Sequence, residues 1–300
     1  MRCRFSCALA WSALLAASAH GVVLYDGSLA TLPSQQGWRY FTNPIIGAHA
    51  TQTQAAGLTT LNTASVRTEQ AGYFSEVPGF GMHPAMPVLD RHAGFIVNVD
   101  LRIVSEGHNA RDDNGDGVND RAGFSLIIVT EDLAAIELGF WQDQVWAYDD
   151  DATDPADLFT HAEGAPLDTT AQLRRYSLCM RGDRYALSAD GALILTGNLR
   201  DYSAFSGALD PYEIPSFAFI GDDTGSADSV SEIGFYEIID LCPGDANGDR
   251  ACDLSDLQTV LFAFGNAAPP CGPDVNGDGI VDLNDLQDVL FNFGIDCDAA

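Results

Sequence analysis

Oxygen-bearing side chains recur at every second position three times in this chain: "DANGDRACDLSD" from Asp245, "DVNGDGIVDLND" from Asp274, and "DDNGDGVND" from Asp112. In the first two, Asp245, Asn247, Asp249, Asp253 and Asp256, and then Asp274, Asn276, Asp278, Asp282 and Asp285, fall at loop positions 1, 3, 5, 9 and 12. Calcium takes roughly six to eight hard oxygens at about 2.3–2.6 Å. A tight loop presenting alternate side chains, plus a backbone carbonyl at position 7 (Ala251 and Ile280), supplies them. The chemistry expected is cation holding, with Ca2+ in both loops. In the third stretch Asp112, Asn114, Asp116 and Asp120 take positions 1, 3, 5 and 9, Gly117 position 6, and Val118 offers its carbonyl. Position 12 is Gly123, so the closing carboxylate is missing, and a strand-like "FSLIIVT" follows. Two readings stay open there: a single calcium pin completed by a distant carboxylate or water, or a plain acidic turn.

The elements that must position these oxygens differ. After each C-terminal loop comes a helical stripe, Leu257, Val260, Leu261, Phe264 and its twin Leu286, Val289, Leu290, Phe293, stopped by Gly265 or Gly294. Spacing of i, i+3, i+4, i+7 gives one apolar face per helix, and the two faces are expected to pack together. This duplicated loop–helix unit, about Cys242 to Cys297, resembles a type I dockerin. The resemblance implies calcium at both loops and docking to a cohesin-like partner in polysaccharide-degrading assemblies. Two departures stand out. Arg250 occupies the sixth position of the first loop, where glycine is usual, so the first site is expected to hold calcium more weakly. The helix positions that would meet a cohesin carry Leu254-Ser255, Leu283-Asn284, Leu261-Phe262 and Leu290-Phe291 instead of small polar and basic residues.

Cys3 and Cys7 fall within the first 19 residues, leaving Cys179, Cys242, Cys252, Cys271 and Cys297. With no CxxC pair, zinc has little support. In the repeat Cys252 matches Val281, an inward position, and Cys271 matches Cys242. Cys297 matches Ala268, three residues from Cys271. A pseudo-twofold relating the halves brings Cys297 to Cys242, so a Cys242–Cys297 clasp is expected.

Between Gly21 and Asp240 the texture is short strands broken by Gly, Asp, Asn and Pro. "AGFIVNVDLRIV" alternates, "AGFSLIIVT" is a buried run, and "AAIELGFWQDQVWAYDD" reads as a hairpin. Asp190-Gly191 between apolar runs is a two-residue hairpin signal. An antiparallel jelly-roll sandwich is expected. The strand order from Phe95 to Ile239 resembles the closing half of concanavalin-A-like (laminin-G-like) jelly rolls, a group of lectins, adhesion modules and endo-glucanases. The paired-carboxylate E-x-D-x-x-E strand of such glucanases is absent. Its nearest approach is Glu137, Trp141 and Asp143, in phase if the strand runs that far. Trp141 and Trp146 form a sugar-stacking platform on one reading and hairpin core on the other. His49, His83, His92, His108 and His161 lack ligand spacing, and there is no G-x-S-x-G elbow or phosphate-binding glycine loop.

Composition bounds the rest. Forty-three acidic residues face 14 basic ones, for a net charge of −29. Nucleic acids and anionic membranes are repelled, whereas divalent cations and neutral glycans are not. "MRCRFSCALAWSALLAASAHG" has the basic start, short apolar run and Ala-Ser-Ala of an export signal cut after Ala19. The expected organisation is a signal over 1–19, a sandwich over 20–240 and a calcium module over 241–300. The expected product is secreted or at the cell surface, without membrane insertion after signal cleavage. Its expected work is glycan or surface binding in polysaccharide use, with a diverged glycoside hydrolase or lyase and a purely structural calcium protein as alternatives.

Overall fold

A computed structural model describes residues 21–207 and 210–298; the export segment expected at 1–19 lies outside them. The strands are β1 (Gly21–Asp26), β2 (Arg39–Asn43), β3 (Thr51–Ala55), β4 (Leu58–Asn62), β5 (Gln70–Phe74), β6 (Glu76–Val77), β7 (Gly81–Met82), β8 (Phe95–His108) and β9 (Ser125–Val129). They continue as β10 (Ala135–Phe140), β11 (Gln144–Tyr148), β12 (His161–Pro166), β13 (Arg174–Arg181), β14 (Arg184–Ala189), β15 (Ala192–Asn198), β16 (Phe217–Asp222) and β17 (Ala227–Asp240). Two helices close the chain, α1 (Leu254–Ala263) and α2 (Leu283–Phe291). No helix among the described residues is long and apolar enough to cross a membrane.

The strands form an antiparallel two-sheet sandwich of jelly-roll type. One sheet runs β15-β14-β13-β8-β17-β4-β3, with β1 also on β17; the other runs β12-β11-β10-β9-β16-β5-β2. Alternation along β8 sends Phe95, Val97, Val99, Leu101 and Ile103 into the core, where they meet Leu126, Ile128, Ile136, Leu138 and Ile220 of the facing sheet. The β14–β15 hairpin turns on Asp190 and Gly191, with φ of 50° and 80°, as a tight hairpin on this dipeptide requires.

The central strands of the seven-stranded sheet, β9, β10, β11 and β16, are buried on both faces. The outer side of this sheet carries Ile127, Val129, Trp146, Tyr148, Phe217 and Phe219, covered by Phe159, Tyr202 and Tyr212 from the loops on either side of β12–β15. This explains why β9, β10 and β16 read as apolar runs without alternation.

The C-terminal unit is fastened to the sandwich. Cys179 of β13 is bonded to Cys271, with Cα atoms 6.3 Å apart. Gly182 lies so close to Gly277 that a side chain on either would strike the other's backbone or its neighbour's. Arg184 donates to the Ala268 carbonyl at 3.2 Å. Within the unit Cys242 is bonded to Cys297, and Cys252 is free and buried. Each loop's seventh residue bridges to the chain beyond the other helix, Ala251 to Asp296 and Ile280 to Ala267, which gives the pseudo-twofold its form. The helices pack less completely than one full apolar face each. Val260 and Val289 are buried, but Leu261, Phe264, Leu290 and Phe293 remain half exposed, and Phe262 and Phe291 are 87% and 83% exposed.

Candidate functional site

Three loops share one hydrogen-bond frame. Asp274 accepts the amides of Gly277 and Asp278 on one oxygen (2.9 and 3.1 Å) and of Gly279 on the other (2.8 Å). Asp245 does the same toward Gly248 and Arg250 (2.6 and 2.8 Å). Asp112 does so toward Gly115, Asp116 and Gly117 (2.7, 3.0 and 2.9 Å). In the C-terminal loops the ninth residue, Asp253 or Asp282, is the helix N-cap. The twelfth, Asp256 or Asp285, accepts the N-cap amide at 2.8 Å, so it closes the loop and the helix capping box together. Both closing carboxylates are fully buried. Asp245, Asp249 and Asp256 each bring an oxygen within 4.8 Å of the others. An all-oxygen set of this kind fits a hard divalent cation such as calcium.

The third loop is closed differently from the two C-terminal ones. Asp120, at position 9, is fully buried and accepts the amide of Asp113, the loop's second residue, at 2.5 Å. Asp256 receives the second residue of its loop, Ala246, at 2.8 Å. Asp120 thus takes the place of the missing twelfth-position group. Its other oxygen accepts the His161 amide at 2.9 Å, and Asn114 reaches Asp157 at 3.3 Å. Arg121 joins Asp113 to the Phe159 carbonyl. The loop therefore fixes residues 157–161 and, with them, the Phe159 ring.

That ring overlies a cavity of about 470 Å³ on the outer face of the seven-stranded sheet. Register explains the hollow. A row of small residues, Gly139, Ser125, Gly221 and Gly72, runs across β10, β9, β16 and β5 beside a row of larger ones, Glu137, Ile127, Phe219 and Phe74. A Cβ on Gly72 would lie 2.2 Å from Phe219, so the glycine is what lets that ring lie across the floor.

Two acids meet in this cavity. Glu137 is 2% exposed, whereas Asp223, just past β16, keeps part of its surface open. Tyr212 donates to Glu137 and Ser125 donates to Asp223 at 3.1 Å, and the two carboxyls lie close enough for the Asp223 charge to act on Glu137. Burial, and then the neighbouring Asp223 charge, push Glu137 well above the ordinary carboxylate range; burial also raises Asp223. Beside the pair lie the hydroxyl of Tyr212, the buried Tyr202 and Tyr148, the buried carboxyl of Asp222, on which the Asp223 charge also acts, and Arg121. Among the described residues no ion pair involves either acid.

Folding therefore takes up a proton here once the pH exceeds the carboxyl's unfolded value, and stability falls as pH rises toward the pair's folded value. Relative to Glu137→Gln, the wild type is expected to lose up to about 1.4 kcal/mol per pH unit across that window. Urea unfolding of both proteins from pH 4.5 upward measures this, and parallel curves would exclude it.

Trp141 and Trp146 do not form a platform. Trp146 is fully buried, stacked on His161 at 4.5 Å and against Tyr148 at 4.1 Å. Trp141 is 9% exposed, stacked on His108 at 4.6 Å, with its indole N–H donated to the Arg121 carbonyl. β10 ends at Phe140; Trp141 stays in the outer-face cluster, packed on Trp146 at 5.5 Å, but does not reach the cavity. The cover folded over this sheet turns both indoles into core. Of the three residues predicted around this hairpin, Glu137 lines the cavity and the tryptophans do not.

No protein-family model matches the chain, and no curated protein does. Among solved structures, a Bacillus subtilis protein of unknown function with a galectin-like fold is 11% identical, covering 73% of this chain and 96% of its own, with a TM-score of 0.43. The VIP36 exoplasmic/lumenal domain in its Ca2+/mannose-bound form is 11% identical over 74% and 90%, at 0.39. Bacillus licheniformis β-glucanase is 9% identical over 63% and 81%, at 0.33. At these values the likeness says nothing about ligand or chemistry.

Proposed function

We propose that this chain is an exported, non-catalytic saccharide-binding sandwich carried with a dockerin-like calcium module that attaches it to a partner protein. The observation that supports it most directly is the cavity: aromatic walls for the apolar faces of a sugar ring, and carboxyl oxygens for its hydroxyls, within the usual small-ligand size. Two disulfides suit an oxidising compartment. The docking side rests on the loop–helix repeat and on the exposed Leu261-Phe262 and Leu290-Phe291 pairs, matched across the pseudo-twofold. Such apolar pairs fit an apolar partner surface. A glycan array probed with the intact chain in calcium tests the sandwich; retention of no glycan rejects the reading.

Calcium in the third loop would hold Phe159 over the cavity. Asp112→Ala with Asp116→Ala is then expected to lower both the melting temperature and glycan retention in calcium, with no further loss in chelator. Equal losses in both media would return this loop to a plain turn. In the first C-terminal loop Arg250 sits at φ 67°, where Gly279 has 96° and Gly117 89°. It also donates to Asp298 at 2.7 Å and to the Asp240 carbonyl at 3.3 Å. Arg250→Gly relieves about 1 kcal/mol of left-handed strain and gives up an ion pair worth about as much at most. Calcium titration is expected to show the weaker of the two sites tightening with little change in melting temperature; an unchanged pair of affinities refutes the strain argument.

A further inference from the structure

Among the described residues the Glu137–Asp223 pair makes no ion pair. Arg121, which lines the same cavity, is committed to Asp113 and to the carbonyls of Asp120 and Phe159, so its charge reaches the pair only at a distance. Two carboxyls held in apolar surroundings without a cation are costly in their charged forms, and hydroxyls do not cancel that charge. Around the pair stand the rings of Phe41, Phe74, Phe159, Phe205 and Tyr212. Aromatic faces attract a cation they enclose, most strongly where water is displaced. The chain's net charge of −29 draws cations toward it in general. Acids at the floor and rings on the walls are complementary to an ammonium group attached to an apolar-faced ring.

Resting on the saccharide reading above, we infer that the cavity takes a cationic amino sugar, its ammonium seated against Glu137 and Asp223 and its ring against the aromatic walls. The ammonium supplies the missing counter-charge and forms charge-assisted hydrogen bonds to both carboxyls. The ammonium favours the charged forms of both carboxyls, so protons they hold leave to the buffer and binding strengthens as pH rises while the amine stays protonated.

Isothermal titration of the full chain in calcium tests this with three probes: glucosamine hydrochloride, N-acetylglucosamine and cyclohexylammonium. Glucosamine is expected to bind at least about tenfold more tightly than N-acetylglucosamine, with heats that vary with the buffer's ionisation enthalpy. Asp223→Asn, whose side chain keeps the shape, is expected to lose about tenfold in affinity for glucosamine without any fall in melting temperature. Phe205→Ala, at the half-exposed edge, gives a second variant that leaves the acids intact and is expected to weaken glucosamine as well. If N-acetylglucosamine binds as tightly as glucosamine, the cation inference falls and the saccharide reading stands. If cyclohexylammonium binds and neither sugar does, the cation inference survives for amines alone and the saccharide reading falls. Binding of none of the three overturns both.

Discussion

Chelating divalent cations from the intact chain is expected to erase most of its helical circular dichroism while leaving the β signal in place. Among the described residues only α1 and α2 are α-helical, with 10 and 9 residues, so ellipticity at 222 nm reports on the C-terminal unit. Helices this short do not persist in water alone, since the nucleation cost outweighs propagation below about 12–15 residues. Nor can their shared core hold them: its buried members are Ala246, Cys252, Val260, Val275, Val281 and Val289, small side chains throughout. The carboxylates of Asp256, Asp274 and Asp285 are fully buried within that unit. Uncompensated, each costs several kcal/mol. Among the described residues the one basic side chain buried beside them is Arg181 of β13, which faces Asp288, Asp274, Asp245 and Asp285 while its Nε and one Nη find no hydrogen-bond partner. A cation bound about a thousandfold above its dissociation constant contributes about 4 kcal/mol per site. Asp285→Ala is expected to reproduce the second helix's loss in saturating calcium. Full helical signal in EGTA would show that packing alone suffices and would remove calcium from this account.

Replacing Cys179 and Cys271 by alanine is expected to destabilise the protein by about 4–5 kcal/mol, by the chain-entropy value for closing a loop of this size. The bond spans 92 residues, whereas the Cys242–Cys297 clasp spans 55 and lies within one unit. The larger loop contains β14–β17 and joins the sandwich to the module, so its loss also uncouples them. Calorimetry is expected to resolve two transitions in the variant, with the calcium-dependent one at the lower temperature. A single transition at the wild-type temperature would mean that the Gly182–Gly277 contact and the Arg184 hydrogen bond already fix the module. Cys252 should not substitute for either partner: it is buried, donates to the Val289 carbonyl at 3.2 Å, and burial pushes its thiol up to about 11.

How much of this was legible depended on range. The alternation of β8, the Asp190-Gly191 turn and the loop spacings are written within a few residues, and local sterics and coordination chemistry dictate them. The cover over the seven-stranded sheet is not written that way. Trp146 looks like any hairpin tryptophan until residues 149–160, 199–207 and 210–216 are seen to close over its sheet. Tyr212 reaches Glu137 across 75 positions, and Asp223 reaches it only through sheet register, so no local pattern announces the cavity. The nearest signal was the pairing of small residues at i, i+2 with acids, Gly139 after Glu137 and Asp223 after Gly221, which marks a hollow beside a polar group once the strands are aligned. In the third loop no fixed position marks the closing role. Asp120 fulfils it because a strand, with no helix to cap, follows.

The attachment of the module has a consequence in terms of load. Tension on a docked module would ordinarily travel along the peptide chain at Asp240-Leu241 and peel β17 from its end. Here Cys271 carries it sideways into Cys179, and so into β13, which lies between β8 and β14 within the larger sheet. Force arriving there is shared by two ladders of hydrogen bonds pulled against one another, so the anchorage behaves as a rivet through the body of the sheet instead of a cord tied to its edge.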